Sequence, residues 1–223
     1  MILRSCSLLL LVACFYSSLI ASFALADTVV FSENIGAPSA TTLIPNYTGW
    51  ENNGVLQFRG TGDVRTSLAS TGYAGASGGG NVFLTSNSSR TFEIFAIDTS
   101  DFLAGSLDLT FGAHKNANAA NMNTDLVLQY STDGLSYSNL AFAAQPTGTG
   151  TSTWRSISIV DSSLPITQTL FIKWTNNSAG TQYRIDDVSL KGDLSSIPEP
   201  SSFAVLSFAG LGLLAFRNRK PRC

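Results

Sequence analysis

Two adjacent carboxylates near the end of the chain are the first candidates for chemistry. Asp186 and Asp187 lie in "YRIDDVSL", where apolar residues alternate as in a β-strand. Ile185 and Val188 are an odd number of residues apart, so both face inward only if a β-bulge lies at the two aspartates. Buried neighbouring carboxylates need a cation or hydrogen-bond donors. We therefore expect either a bound calcium ion or backbone hydrogen bonds at this bulge.

One serine matches the pattern of a hydrolase nucleophile. "GASGG", Gly75–Gly79, has the form Gly-x-Ser-x-Gly, but that motif requires a strand before it and a helix after it. Here a glycine-rich loop precedes the serine, and the strand-like "NVFLTS" follows. The single histidine, His114, stands beside Lys115 and is predicted to lie at the surface. We predict no catalytic residues and no enzymatic activity.

Aromatic side chains are the candidates for binding sugars, because a sugar ring can stack on an exposed aromatic face. Tyr47 and Trp50 lie in the polar segment "PNYTGWENNG" and are the predicted sugar-binding residues, with ordinary packing as the alternative. Trp174 alternates with Leu170 and Ile172 and is predicted to belong to the core.

Composition excludes several functional classes for the segment 27–193, which has about 167 residues. It contains eight Lys or Arg and fourteen Asp or Glu, a formal charge of about −6, so nucleic acid is not an expected partner. The three cysteines are Cys6, Cys14 and Cys223, all outside this segment. A domain without cysteine has no disulfide, thiolate metal site or thiol nucleophile.

Strand patterns dominate the segment 27–193. Alternating or apolar runs recur in "TVVFSE", "GVLQFRG", "NVFLTS", "TFEIFAI", "SLDLTFG", "DLVLQYS", "WRSISIV", "LFIKW" and "YRIDDVSL". A loop is expected from Asp63 to Gly80, and Asp133-Gly134 predicts a hairpin turn. No amphipathic helix is evident. Nine or ten strands predict an all-β fold, an antiparallel two-sheet β-sandwich of the jelly-roll type.

Two short pieces of the segment resemble known jelly rolls. "YSTDGLSY" resembles a strand-turn-strand unit of secreted bacterial jelly rolls, and "YRIDDVSL" resembles the last strand of lectin-like and carbohydrate-binding domains. That resemblance implies a structural calcium ion between the first and last strands. Glu33, in "FSENIG", is then the expected third ligand beside Asp186 and Asp187.

The N-terminal residues are typical of a secretory signal. Arg4 is followed by the apolar stretch Ser5–Ile20, and Ala24 and Ala26 supply the small residues that signal peptidase needs. Cleavage is expected between Ala26 and Asp27, which removes the N-terminal signal helix from the mature protein. A lipoprotein signal ending at Cys14 and a permanent membrane anchor are the alternatives.

The C-terminus has three ordered parts. Pro198, Glu199 and Pro200 precede an apolar helix predicted at about 201–216, and a basic end follows. The basic residues are Arg217, Arg219, Lys220 and Arg222. The uncharged part, Phe203–Phe216, spans about 21 Å as a helix, which is short against a hydrocarbon core of about 30 Å.

This tripartite end resembles the PEP-CTERM sorting signal. The resemblance implies recognition by exosortase in the inner membrane, cleavage near Pro198–Pro200, and release to or attachment at the outer surface. Carriers of the signal are typically Gram-negative bacteria that make an extracellular polysaccharide. An ordinary tail anchor is the alternative.

These observations predict a signal peptide at 1–26, a β-sandwich domain at 27–193, and a linker with the sorting signal at 194–223. The predicted function is that of a secreted, non-enzymatic protein of the cell surface or extracellular matrix. The alternatives are a carbohydrate-binding module and a polysaccharide hydrolase or lyase. Signal peptidase, exosortase, the inner membrane in transit and extracellular polysaccharide are the expected partners. No cofactor is expected apart from the structural calcium ion.

Overall fold

The computed structural model describes residues 27–86, 89–160 and 162–195. The predictions for the signal peptide, with Ala24 and Ala26, and for the sorting signal, with Pro198–Pro200 and the basic end, lie outside these residues. Among the residues described, no helix has the length and apolar character needed to cross a membrane.

Twelve strands form the described fold. In chain order they are β1 (Thr28–Glu33), β2 (Thr42–Leu43), β3 (Gln57–Gly60), β4 (Asp63–Arg65), β5 (Asn81–Leu84), β6 (Arg90–Ile97), β7 (Asp108–Lys115), β8 (Leu126–Ser131), β9 (Ser138–Asn139), β10 (Arg155–Ile159), β11 (Leu170–Asn176) and β12 (Tyr183–Gly192). Within residues 27–86, 89–160 and 162–195, helical structure is limited to a 3-10 turn, Ile44–Asn46, and a single α-helical turn, α1 (Met122–Asp125).

The strands make two antiparallel sheets, which confirms the predicted all-β sandwich of the jelly-roll type. A seven-stranded sheet has the order β10-β7-β12-β5-β4-β2, and β1 pairs with β12 beside that path. A five-stranded sheet has the order β3-β6-β11-β8-β9. Alternation along each strand gives every sheet one face toward the partner sheet and one outer face.

The core lies between the sheets and is rich in aromatic side chains. Trp174 of β11 is fully buried, as its alternation with Leu170 and Ile172 predicted. Its ring stacks on Phe92 at 5.4 Å and meets Phe111 of the other sheet edge-to-face at 5.4 Å. Burying a large apolar side chain stabilises a fold by about 1.5–3 kcal/mol, so these contacts hold the two sheets together.

The predicted bulge in the last strand is confirmed. The register between β12 and β7 shifts between Asp186 and Ser189, and Asp187 has a φ of 49°. Ile185 and Val188 on either side are both fully buried. The extra residue therefore restores the inward direction of the strand after the two aspartates.

The number of strands exceeds the prediction, because two short strands escape the sequence pattern. Asp63–Arg65 falls in the segment predicted as a loop, yet it pairs with β5 and buries Val64 completely. Thr42–Leu43 extends the same edge by pairing with this strand. Strands of two or three residues are too short to show a period of two.

The prediction that His114 lies at the surface is wrong. His114 is 6% exposed, and Lys115 beside it is 1% exposed. The Lys115 ammonium donates hydrogen bonds to the carbonyls of Asn118, Ala120 and Pro146, at 3.2, 2.7 and 2.8 Å. Polar residues at a strand end are thus buried because loops fold over them, which neighbouring sequence does not reveal.

Candidate functional site

The outer face of the five-stranded sheet carries a cluster of charged and aromatic side chains. We call this surface the open face, and its central residues are Arg59, Glu93, Phe95, Tyr137, Phe171 and Lys173. Strand pairing places them side by side, since Glu93 of β6 is opposite Arg59 of β3 on one side and Lys173 of β11 on the other. Tyr137 reaches the cluster from the turn that leads into β9.

Glu93 is the centre of this cluster. Its side chain is 4% exposed, although it lies on an outer face. Its carboxylate accepts hydrogen bonds from Arg59 Nε and from the Tyr137 hydroxyl. Arg59 Nη2 also donates to the Tyr137 hydroxyl at 3.2 Å. The pKa of Arg59 is raised, mainly by its hydrogen bond with Glu93. Three side chains therefore fix one another, and the buried charge is compensated.

Aromatic rings form the rest of the open face. Phe95 and Phe171 are half-buried and lie parallel, with ring centroids 5.4 Å apart. The Arg59 guanidinium lies 4.8 Å from the Phe95 centroid and 5.6 Å from that of Phe171. The Lys173 ammonium is 3.1 Å from the Tyr137 ring centroid. These cation–π and stacking contacts hold the side chains in a fixed pattern on the sheet.

The outer face of the seven-stranded sheet is different, because the chain covers it. Residues 66–80, which we call the cover loop, lie across β12, β7 and β10. Trp154 Nε1 donates to the Leu68 carbonyl at 3.1 Å, and Arg184 Nη1 donates to the Ser67 carbonyl at 2.9 Å. A Cβ on Gly112 of β7 would collide with the Tyr73 hydroxyl, so the loop lies directly on the strand.

The aspartate bulge anchors the cover loop. Asp187 accepts a hydrogen bond from the Tyr73 hydroxyl and, at 3.2 Å, from the backbone N–H of Ser77. Asp186 is fully buried, and its carboxyl accepts from the Asp187 N–H at 2.8 Å. Burial raises the pKa of Asp186 to about 7, and the adjacent Asp187 carboxylate contributes to the rise. A groove of about 570 Å³ runs past Tyr73, Ser77 and Asp187.

Glu33 is not brought together with the two aspartates as a metal site. Its carboxylate accepts four hydrogen bonds, from the backbone N–H groups of Ile35, Glu51 and Asn52 and from the Asn52 side-chain amide, at 2.9 to 3.0 Å. Four donors occupy the usual acceptor positions of a carboxylate. Within the described residues, no three or more His, Cys, Asp or Glu side chains are grouped to hold a metal ion. Calcium binding at Asp186 and Asp187 stays a prediction.

The expectation that Trp50 presents an exposed face is wrong. Trp50 is 6% exposed and lies parallel to Phe58 at 4.2 Å and to Phe92 at 5.8 Å. Tyr47 meets it edge-to-face at 5.0 Å and donates its hydroxyl to the Ile35 carbonyl. Both residues line a cavity of about 390 Å³ beside β3. The polar segment around them folds back on the core, so the Trp50 ring is a packing element.

The chain around Ser77 does not have the geometry of a nucleophile elbow. Ser77 lies in the cover loop, and β5 rather than a helix follows it. Its hydroxyl lies 3.5 Å from a carboxylate oxygen of Asp186, as the donor of a weak hydrogen bond. The serine therefore helps to hold the loop to the bulge.

Sequence reasoning missed the open face, although a signal existed. In "TFEIFAI" the buried apolar residues are Phe92, Ile94 and Ile97, so strict alternation from Phe92 places Glu93 and Phe95 on the other side. In "LFIKW" the same argument places Phe171 and Lys173 outward. An aromatic residue at an outward position of a central strand is the feature that indicates a surface built for contact.

Comparison with known proteins finds a sorting motif near the end of the chain. The described part is a β-sandwich of the jelly-roll class. Residues 196–220 match the PEP-CTERM protein-sorting motif. This motif implies sorting by an exosortase and export to the cell surface or the extracellular space. A comparison with curated proteins found no match.

Several solved structures are similar to this chain at low sequence identity. The CBM22-1 xylan-binding domain of Xyn10C from Paenibacillus barcinonensis has 12% identity and a TM-score of 0.43, covering 78% of this chain and 99% of that one. The CBM35 of Abf62 from Cellvibrio japonicus has 15% identity and a TM-score of 0.37, covering 62% and 94%. The K2 cleaved adhesin domain of Lys-gingipain has 11% identity and a TM-score of 0.43, covering 74% and 97%.

Proposed function

We propose that the exported sandwich is a non-catalytic glycan-binding domain that contacts polysaccharide of the cell surface or matrix through the open face. The observation that carries this proposal is the exposure of ordered aromatic and polar side chains on one sheet, while the chain covers the other sheet. The sorting motif supports an extracellular setting for such contacts.

The chemistry of the open face suits a sugar chain. Saccharides present apolar C–H faces, which pack on aromatic rings, and hydroxyl groups, which need hydrogen-bond partners. The rings of Phe95 and Phe171 offer the first kind of contact. Exposed or half-exposed amides offer the second, among them Gln57 and the pair in which Gln129 Nε2 donates to Asn139 at 3.1 Å. Side chains on neighbouring strands repeat about every 4.8 Å, so several sugar units can lie across the sheet.

The same geometry argues for binding rather than hydrolysis. A glycosidase of the usual kind needs two carboxyl groups on either side of the scissile bond. At the centre of the open face the carboxylate is Glu93, and Arg59 and Tyr137 already occupy it. A group held as an ion pair inside the cluster is poorly placed to donate a proton to a substrate.

Binding is tested with the purified exported protein on an array of microbial and plant polysaccharides, followed by affinity electrophoresis with the positive polymers. Phe95→Ala removes a contact ring and is expected to weaken binding about tenfold, which corresponds to about 1.4 kcal/mol. The matched control is Trp50→Phe, which alters a buried ring and is expected to leave affinity unchanged. Loss of binding in the Trp50 variant alone would contradict the proposal, and so would release of reducing sugar from the polymer.

A further inference from the structure

We infer that the glycan held by the open face is an acidic polysaccharide, whose carboxylates pair with Lys173 and Arg59. This inference rests on the proposed function and names the class of its ligand. It follows from the distribution of charge on the open face, which differs from that of the domain as a whole.

The central cluster of the open face carries more positive than negative charge. Arg59 and Lys173 carry two positive charges, and Glu93 carries one negative charge. The central cluster is therefore net positive by one, in a segment 27–193 that has a formal charge of about −6. This positive patch does not repel carboxylates or the polymers that carry them. The acidic remainder of the surface does repel them.

Lys173 is available to pair with a carboxylate of a ligand. Two ion pairs are present within the described residues, Arg59 with Glu93 and Arg65 with Asp63, so Lys173 belongs to neither. Its ammonium rests on the Tyr137 ring instead. Burial lowers the pKa of Lys173, and the nearby Arg59 charge lowers it further. The Glu93 charge acts in the opposite direction and raises this pKa. Glu93 forms its ion pair with Arg59, so an arriving carboxylate would give the Lys173 ammonium an ion pair of its own.

The two cations lie close together on the open face. Arg59 donates from Nη2 to the Tyr137 hydroxyl, while Lys173 lies over the ring of the same tyrosine. Both cations therefore contact the Tyr137 side chain. Arg59 is 48% exposed, and its Nη1 takes no part in the hydrogen bonds to Glu93 and Tyr137. One planar carboxylate of a sugar unit can receive donors from both residues.

The test compares sodium polygalacturonate with the same polymer after chemical reduction of its carboxyl groups to neutral sugar. Affinity electrophoresis of the exported protein is expected to show binding to the acidic polymer that is at least tenfold tighter than binding to the reduced one. Higher salt is expected to weaken the acidic interaction selectively, since ions screen exposed charges beyond about 10 Å at 0.1 M.

Variants locate the interaction. Lys173→Gln is expected to weaken binding of polygalacturonate about tenfold, the scale of a hydrogen bond to a charged group, and to leave binding of the reduced polymer unchanged. Lys173→Arg is expected to restore it. The control is Lys191→Gln, which removes an exposed lysine of β12 on the other sheet and is expected to have no effect. Thermal unfolding of each variant checks that it is folded.

The outcomes separate this inference from the function on which it rests. Equal binding of the acidic and reduced polymers would overturn the inference and leave glycan binding intact. An equal loss of affinity for both polymers in Lys173→Gln would also overturn the inference, because the lysine would then support the structure of the face rather than pair with a carboxylate. Binding of neutral glycans only would do the same, and absence of binding to every polysaccharide on the array would overturn both proposals.

Discussion

The two sheets of the sandwich present outer faces that are built alike and used differently. Each carries aromatic rings, cations and a tyrosine hydroxyl that donates to a carboxylate, Tyr73 to Asp187 on one sheet and Tyr137 to Glu93 on the other. On the seven-stranded sheet the cover loop, residues 66–80, lies over these groups. On the five-stranded sheet the rings and cations are partly exposed, and the neighbouring side chains bury Glu93.

This difference shows that the same residue types stabilise the fold where the chain covers them and remain available for contact where it does not. A loop of about fifteen residues loses conformational entropy when it is ordered, and the buried contacts beneath it must offset that loss. The open face has no such cover, so its ordered side chains are held by their own ion pair and ring contacts. Variants made in matched pairs, one on each face, test this comparison.

The largest expected effect separates the aromatic residues of the two faces. Trp154 is 6% exposed beneath the cover loop, so Trp154→Ala is expected to lower the free energy of unfolding by about 3–5 kcal/mol. Phe95→Ala, on the open face, is expected to cost about 1 kcal/mol, the scale of a ring pair, because the ring is half-exposed. Urea unfolding of both variants measures the difference.

Glycan affinity should depend on the two aromatic residues in the opposite order. Trp154→Phe, which keeps the protein folded, is expected to bind glycan normally, whereas Phe95→Ala is expected to bind weakly. A Phe95 variant that loses as much stability as the Trp154→Ala variant would show that the open face is part of the core.

The second effect concerns His114, which the cover loop helps to bury beside Trp154, with ring centroids 5.6 Å apart. Burial lowers the pKa of His114 to about 4, from 6.5 in the unfolded chain, and the charge of Arg184 adds to the effect. The unfolded state therefore binds the proton first, and this contribution to stability, complete above pH 6.5, is lost as the pH falls toward 4.

At pH 5 this contribution is expected to be about 2 kcal/mol smaller than at pH 8. His114→Gln removes the titration, so the stability of the wild type minus that of the variant should fall over this range. Comparison with the variant matters because burial raises the pKa of Asp186 to about 7, so that group favours stability at low pH instead. A difference between wild type and variant that does not change with pH would show that His114 is reached by water in the folded protein.

The sequence is sufficient to predict the class of fold, because nearly every long strand has an alternating or apolar pattern. It also predicts the bulge at Asp186, since two inward residues an odd distance apart leave no other solution. It fails for Trp50 and His114, whose burial depends on how distant segments fold over them. A polar neighbourhood in the chain predicts exposure only when nothing else covers the residue.

The candidate site was missed for a related reason. Alternation places Glu93 and Phe95 outward, but it does not say whether an outward face is covered or open. That distinction depends on the cover loop, which packs through backbone carbonyls such as those of Ser67 and Leu68 rather than through a recognisable side-chain pattern. The sequence does predict the PEP-CTERM motif matched at 196–220, because its three parts are contiguous in the chain.

The smallest expected effect compares the two tyrosine hydroxyls directly. Tyr137→Phe leaves the charge of Glu93 paired with Arg59, so the expected loss is about 1 kcal/mol of stability. Tyr73→Phe removes a donor to Asp187 beneath the loop, where a hydrogen bond to a charged group is worth about 1.5–3 kcal/mol. Urea unfolding of the two variants gives the comparison, with Tyr130→Phe as a control. Equal losses for Tyr73 and Tyr137 would show that the two hydroxyls stabilise their faces alike, and the contrast between the two faces would then rest on the rings alone.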